Sequence, residues 1–323
     1  MSKVRLGLIG LGQMGRIHLR NSLDLRTIDM IAAADVSAKS LLLAKKSGVR
    51  RVFKDYSKLL KIPDIDAVVI SLPNFLHLEA AIRAAEHQKH ILIEKPLARN
   101  ETEGAQIVSA CKKNSVKLMV GYPLRFSPAF VELGENFRAG TLGEVQIAGG
   151  DFISVGPFSP RGGGSVPTPI PSWWFDKKLT GGGALIDLGC HLINLFKFYF
   201  EEVAEIRSQL GYKFNMEFED HAICFMKFKK GVKAVLNVGW FGRYHSVQVR
   251  LYGMANYALA ASKSSLLGYL RRISGPDRST GFYRELEYFV NCIQSNIDPL
   301  PSGQEGLEDL QLITEAYRNT SSP

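Results

Sequence analysis

Residues 181 to 194 read Gly-Gly-Gly-Ala-Leu-Ile-Asp-Leu-Gly-Cys-His-Leu-Ile-Asn, and Asp187, His191 and Asn194 are the groups there that could do chemistry. On a helix, Asp187 and His191 are four residues apart and share a face, and Asn194 extends the stripe. A carboxylate beside an imidazole holds the ring in one tautomer and orientation, as a proton acceptor requires. A polar seam in a core would use the same residues, and this stretch alone leaves both readings open. The three glycines are expected to let a substrate or cofactor approach the helix start closely.

A second set of candidates lies in the first 122 residues. Val4 to Ile9 is an apolar run of the kind a buried parallel strand shows. It leads into Gly10-Leu11-Gly12-Gln13-Met14-Gly15 and then a helical segment from Arg16 to about Leu25. Gly10 permits a tight turn, Gly12 leaves room for a pyrophosphate, and Gly15 lets the helix pack on the strand with its N-terminus toward the phosphates. Gln13 and Met14 fall inside the same cofactor loop. Met30 to Ala34 reads as the next strand and ends in Asp35, 20 residues after Gly15. An acid there accepts from a ribose diol and repels a 2′-phosphate, so NAD is expected over NADP. The competing reading, that Asp35 only caps its own turn, does not account for strand, loop, helix, strand and acid standing in register.

Stepping along the chain gives the elements that must position these groups. Helical segments are predicted at 40–47, 78–86 and 103–113, and strands at 67–71, 90–94 and 117–122. This alternation predicts an α/β fold, a doubly wound parallel sheet forming a Rossmann domain over residues 1–122. Ligands bind at the carboxyl ends of such strands. Ser71, Pro73, Asn74, His77, Glu94 and Lys95 fall there and are expected to line the cofactor, and Tyr122 and Arg125 to meet the substrate. Pro96 fixes Lys95 in non-helical backbone, where its ammonium could polarise a substrate oxygen; an exposed lysine paired with Glu94 is the equal alternative. A loop or capping role suits His77 better than catalysis.

Residues 123–323 change character. A helix is expected over 128–138, then strands near 143–152, 206–212, 221–228, 232–240 and 245–252, making an open, mostly antiparallel sheet in an α+β domain. One face of that sheet needs a cover, for which a second subunit is the candidate. The Gly- and Pro-rich stretch 154–172 is long for a structureless loop and reads as a lid or assembly arm. Trp173 and Trp174 follow; either could wall a pocket or fill a core, and Trp174 is taken as the substrate wall. Helices over 281–294 and 301–317 close the chain, the latter with Ser302 and Glu305 as a capping box, and it could pack back on the first domain.

Composition narrows the classes. With 323 residues, 46% hydrophobic and 22% charged, the chain fits a soluble protein of about two domains. The net charge of +9 sits entirely in residues 1–122, which hold 20 Lys and Arg against 11 Asp and Glu. These bases are scattered, with no basic arm, so nucleic acid is not an expected partner. Four dispersed cysteines form neither a disulfide framework nor a metal site, and a cytoplasmic location is expected. The N-terminal apolar stretch is too short and glycine-rich for a signal peptide, and no run is expected to span a membrane.

Four motifs stand in order: Gly10-x-Gly12-x-x-Gly15, Glu94-Lys95-Pro96, Gly121-Tyr122-x-x-Arg125-Phe126 and Gly181-Gly182-Gly183-x-x-x-Asp187-x-x-x-His191. In this the chain resembles the Gfo/Idh/MocA family of oxidoreductases, which takes its name partly from glucose–fructose oxidoreductase and inositol dehydrogenase. The resemblance implies a Rossmann domain, an NAD(P) cofactor and a sugar, polyol or sugar-derivative substrate. It also implies a homodimer or homotetramer joined through the open sheet face. Lys95 matches the lysine of the Glu-Lys-Pro motif, Asp187 and His191 the acid and base of the glycine-led helix, and Asn194 a position that contacts a substrate hydroxyl. By the same resemblance, His191 takes the hydroxyl proton, Asp187 orients it and Lys95 binds the reacting oxygen, so that Lys95 and the second-half helix serve one active site. A sugar-processing enzyme using NAD without net redox, and a non-catalytic NAD-binding regulator, are the alternatives.

Overall fold

The computed structural model describes residues 2–158, 171–242, 245–263, 276, 278 and 280–320. Most of the stretch 154–172, at 159–170, therefore lies outside the described residues. The chain divides into two compact units, Met1–Pro123 with Arg271–Leu307, and Leu124–Leu270 with Glu308–Pro323.

The first unit begins β1 (Val4–Ile9), α1 (Gln13–Asp24), β2 (Ile28–Ala34), α2 (Ala38–Lys46), β3 (Arg51–Phe53) and α3 (Tyr56–Leu60). It continues β4 (Ala67–Ile70), α4 (His77–Glu86), β5 (His90–Glu94), α5 (Glu101–Lys113) and β6 (Leu118–Gly121). The strands are parallel in the order β3-β2-β1-β4-β5-β6. This is the doubly wound order, and its switch point lies between β1 and β4. All four residues of β4 are buried, as the apolar run predicts for a central parallel strand. Ala80, Ala81, Ala84 and Ala85 give α4 a small-residue buried face. The short edge strand β3 and the single-turn α3 were not expected; three strand residues and five helical ones are too few to show a period.

In the second unit α6 (Pro128–Arg138) precedes β7 (Val145–Ile153), followed by α7 (Lys177–Thr180), a π-helical turn at Leu185–Gly189 and α8 (Cys190–Phe200). The strands β8 (Val203–Gly211), β9 (His221–Phe228), β10 (Lys233–Gly239), β11 (Ser246–Gly253) and β12 (Tyr257–Lys263) follow. With β7 they form one sheet in the order β12-β11-β7-β10-β9-β8, in which only the β7–β10 pair is parallel. The sheet is thus mostly antiparallel, with β12 an addition to the expected set. Strict alternation marks β9: Ala222, Cys224, Met226 and Phe228 are buried while Ile223, Phe225 and Lys227 are exposed. The buried face lies under α8, whose Leu192 and Phe196 reach Gly150 of β7. Among the described residues one segment, Lys177–Phe200, is long and apolar enough for a membrane span; its apolar window is 83% buried inside the protein, which makes it a core segment.

Two helices complete the chain. α9 (Gly281–Gln294) belongs to the first unit, and α10 (Gly303–Arg318) starts there. The capping box is formed: Glu305 N donates to Ser302 Oγ at 3.2 Å and Ser302 N to Glu305 Oε2 at 2.8 Å.

Candidate active site

The glycine loop divides its work between folding and binding. Gly10 has φ +93°, and a Cβ there would lie 2.1 Å from the Ser71 carbonyl oxygen. A Cβ on Gly15 would lie 2.0 Å from the Gly10 carbonyl oxygen. Both are held by the protein's own packing, Gly10 at the switch point and Gly15 where α1 meets the loop. Gly12 differs: among the described residues nothing stands within 4 Å of the Cβ it lacks, although it is the residue at the start of α1. Open space at a helix N-terminus, flanked by two glycines that cannot change, is a cradle that fits a pyrophosphate.

Asp35, at the end of β2, is half-buried and works within the protein as well. Its Oδ2 accepts from Leu11 N at 2.6 Å and its Oδ1 from Ser37 N at 2.7 Å. The cap on its own turn is therefore real, and it coexists with a carboxylate held against the glycine loop. Ser71, Pro73 and Asn74 are half-buried after β4.

Two residues expected at the cofactor prove to be framework. His77 is 0% exposed, with Nε2 2.9 Å from Leu72 O and Nδ1 3.0 Å from Pro96 O. Burial pushes its proton affinity down, against the opposing pull of those carbonyls. The ring ties the loop after β4 to the loop after β5, a job that leaves no edge for a ligand. Glu94 is likewise buried, its Oε1 2.7 Å from His18 Nε2 on α1. Beside it, fully buried Glu285 on α9 has no hydrogen-bond partner on either carboxylate oxygen among the described residues. Burial and then Glu94 push the Glu285 carboxyl well above the usual range, which favours the neutral acid. Lys95 stands next, half-buried and followed by a cis peptide bond to Pro96.

In the second unit the glycines at 181–183 have a different reason from the expected one. Gly181 ends α7 with φ +88°. A Cβ on Gly182 would lie 2.4 Å from Tyr317 Oη, and one on Gly183 1.8 Å from the Glu219 carbonyl oxygen. It is the protein's own chain, not a ligand, that fills this space. Glu219 completes the arrangement: its Oε1 accepts from Gly183 N at 3.2 Å, Leu185 N at 2.9 Å and Tyr317 Oη at 2.8 Å. Burial pushes the Glu219 carboxyl up, and these donors oppose it.

Asp187 lies in the π turn, so its four-residue spacing from His191 does not measure one α-helical turn. Such turns recur at functional sites because they rotate one side chain out of helical register. Trp240, just beyond β10, donates from Nε1 to Asp187 Oδ2 at 3.1 Å. His191 is 8% exposed at the start of α8 and packs on Phe152, ring centroids 5.5 Å apart. Trp174 is half-buried, stacked on Trp173 at 5.4 Å.

Three expected substrate contacts are withdrawn from the surface. Asn194 is 1% exposed; its Nδ2 donates to Asp309 Oδ2 at 2.7 Å and its Oδ1 accepts from Arg125 at 3.5 Å. The Arg125 guanidinium is itself buried, 4.2 Å over the Phe198 ring. Tyr122 is 1% exposed. All three are buried, and the amide of Asn194 is engaged by Asp309 and Arg125. Trp240, Glu219, Tyr317, His18 and Glu285 went unnoticed in the sequence. Each acts on groups at least 34 residues away in the chain, and no local pattern announces such a pairing. No group of three or more His, Cys, Asp or Glu suited to a metal occurs among the described residues.

Comparison with known proteins completes the picture. Residues 4–122 match the model of an oxidoreductase family with an NAD-binding Rossmann fold, and residues 130–257 match the GFO/IDH/MocA C-terminal domain. A myo-inositol 2-dehydrogenase of Thermotoga maritima is 26% identical over 94% of this chain and 92% of its own. A levoglucosan dehydrogenase of Pseudarthrobacter phenanthrenivorans is 30% identical over 65% of this chain and 55% of its own. Among solved structures, scyllo-inositol dehydrogenase from Lactobacillus casei, bound to NAD(H) and scyllo-inositol, superposes with a TM-score of 0.82. It is 18% identical, and the match covers 99% of this chain and 97% of that one.

Proposed function

The chain belongs to the Gfo/Idh/MocA family of oxidoreductases, and from that premise we propose that it oxidises a CH–OH group of a sugar, polyol or sugar derivative, or runs the reverse reduction. It is an NAD-dependent enzyme, and bound NAD supplies the hydride acceptor. The observation that carries the reading is the open space at Gly12 at the start of α1, in the unit that matches an NAD-binding Rossmann fold. The inositol and levoglucosan named for its relatives support the substrate class.

The roles follow from the residue chemistry. His191 accepts the proton of the substrate hydroxyl as the hydride leaves. Asp187 stabilises the imidazolium that forms. Lys95 donates to the reacting oxygen and favours its developing negative charge. Gly10, Gly12, Gln13, Met14 and Gly15 would hold the pyrophosphate, Asp35 the ribose, and Ser71, Pro73 and Asn74 the cofactor beyond it. Trp174 offers an aromatic wall to the substrate. His191→Ala is expected to lower turnover by about 10²–10⁴-fold, the usual worth of a positioned proton acceptor, with NAD affinity unchanged. NADH formation across a panel of polyols, sugars and nucleotide-sugars tests the class, and wild-type turnover in the variant sinks the assignment.

The open sheet face supports a homo-oligomer. Ile147, Phe225, Tyr252, Tyr257 and Leu259 project from it and are 44–67% exposed, an apolar patch that suits a second copy of the chain. Four buried free cysteines agree with a reducing, cytoplasmic setting.

A further inference from the structure

Trp240 joins groups that the sequence keeps far apart. Its backbone is pinned: Trp240 N donates to Asp220 O at 2.9 Å, and on either side Ser154 N donates to Gly239 O at 2.9 Å and Gly242 N to Ser154 O at 2.7 Å. Its side chain is fixed as firmly, at 2% exposure. One flank presses on Gly156, where φ is +58° and a Cβ would lie 2.2 Å from Trp240 Cβ. Another meets Phe218 and Trp174 edge to face, each at a centroid distance of 6.1 Å. The remaining edge carries the indole N–H, and it is aimed at Asp187 Oδ2, 3.1 Å away.

Packing alone does not explain a tryptophan here. A phenylalanine would meet the same rings, but it has no N–H to give. The donor matters because a carboxylate turns freely about its last bond unless something holds it, and a donor fixes one oxygen and favours the charged form. We propose that Trp240 is the positioning residue of Asp187 and that it locks the acid in register with the half-buried Trp174. The inference rests on the role given to Asp187 above. It makes the distance between an aromatic wall and the acid a fixed property of the second unit, carried by one indole ring.

The chain has three tryptophans, so ¹⁵N-indole labelling gives three N–H signals and a direct view of this bond. Asp187→Asn should move one of them strongly, and the moved signal should be the one lost in Trp240→Phe. Turnover in Trp240→Phe should fall about tenfold, the factor for one hydrogen bond to a charged group, with NAD affinity unchanged. In an Asp187→Asn background the same change should cost nothing further, because the two residues act as one. An unmoved indole signal, or equal losses in both backgrounds, overturns the proposal. Should Trp240→Phe not fold, Trp173→Phe and Trp174→Phe assign the other two signals, and the shift in Asp187→Asn decides alone. If Asp187→Asn turns over as wild type, the role of Asp187 and the proposal fall together; a damaged Asp187→Asn with additive effects removes Trp240 only.

Discussion

Alanine at Gly12 and at Gly15 should separate cofactor binding from folding within a single loop. At Gly15 the added methyl would start 2.0 Å from the Gly10 carbonyl oxygen, and Gly10 cannot yield, because its own position is set by Ser71 O and a φ of +93°. Overpacking against fixed backbone typically costs about 1–3 kcal/mol. At Gly12 φ is −64°, open to any residue, and the methyl enters empty space. Alanine is a poorer helix cap than glycine by roughly 0.5–1 kcal/mol. It also restricts the unfolded chain, which stabilises by about 0.4–1 kcal/mol. The two offset, and Gly12→Ala should match the wild type within about 0.5 kcal/mol. Binding should order the variants differently. A methyl at Gly12 occupies the space the pyrophosphate needs, and losing even one hydrogen bond to a charged group weakens affinity about ten- to hundredfold. Urea denaturation gives the stabilities and titration with NADH the affinities. The reasoning is refuted if Gly12→Ala binds NADH as the wild type does, or if Gly15→Ala is as stable as the wild type.

Further outcomes follow from the buried groups. Burial holds the Glu285 carboxyl well above its ordinary value of 4.5 in the fold, so above that value folding takes up a proton and the cost grows as pH rises toward the folded value. Glu285→Gln should therefore melt above the wild type at pH 8 and converge with it near pH 4; parallel curves would show that the group is not held neutral. Glu219→Ala strips acceptors from Gly183 N, Leu185 N and Tyr317 Oη and should destabilise the protein by about 3 kcal/mol in urea, while Glu219→Gln, which keeps an acceptor, should lose less. Asp35→Ala removes the carboxylate that repels a 2′-phosphate and should narrow the ratio of NAD to NADP affinity, measured by titration with each; an unaltered ratio would count against the ribose contact.

Local chemistry was legible where the chain speaks to its near neighbours. β5 at His90–Glu94, α6 at Pro128–Arg138 and α9 at Gly281–Gln294 fall on their expected bounds, because each is long or apolar enough to show its period. The capping box at Ser302 and Glu305 was equally plain, being a contact across three residues. Gly10, Gly12 and Gly15 divide as their motif implies, since turn, cradle and packing all sit within one βα unit. What stayed hidden is who fills a space from afar. A polar residue after a strand or on a helix face reads as ligand-facing whether its partner is a substrate or Asp309, and this is why the burial of Asn194, Arg125 and Tyr122 was not foreseen.

The same ambiguity in the glycine-led segment has a physical resolution. Glycine is needed where something comes too close for a methyl, and the sequence does not say what comes. At Gly12 none of the described residues does; at Gly182 and Gly183 Tyr317 and Glu219 take the space. The second set of glycines therefore serves chemistry at one remove. By admitting Glu219 to the amides of Gly183 and Leu185, they anchor the start of the π turn that carries Asp187, whose carboxylate accepts from the Trp240 indole. An anchored backbone at one end and a hydrogen-bonded carboxylate at the other restrict the orientation of Asp187. That is the condition a carboxylate must meet if it is to steady a charge that exists only while the proton is on His191.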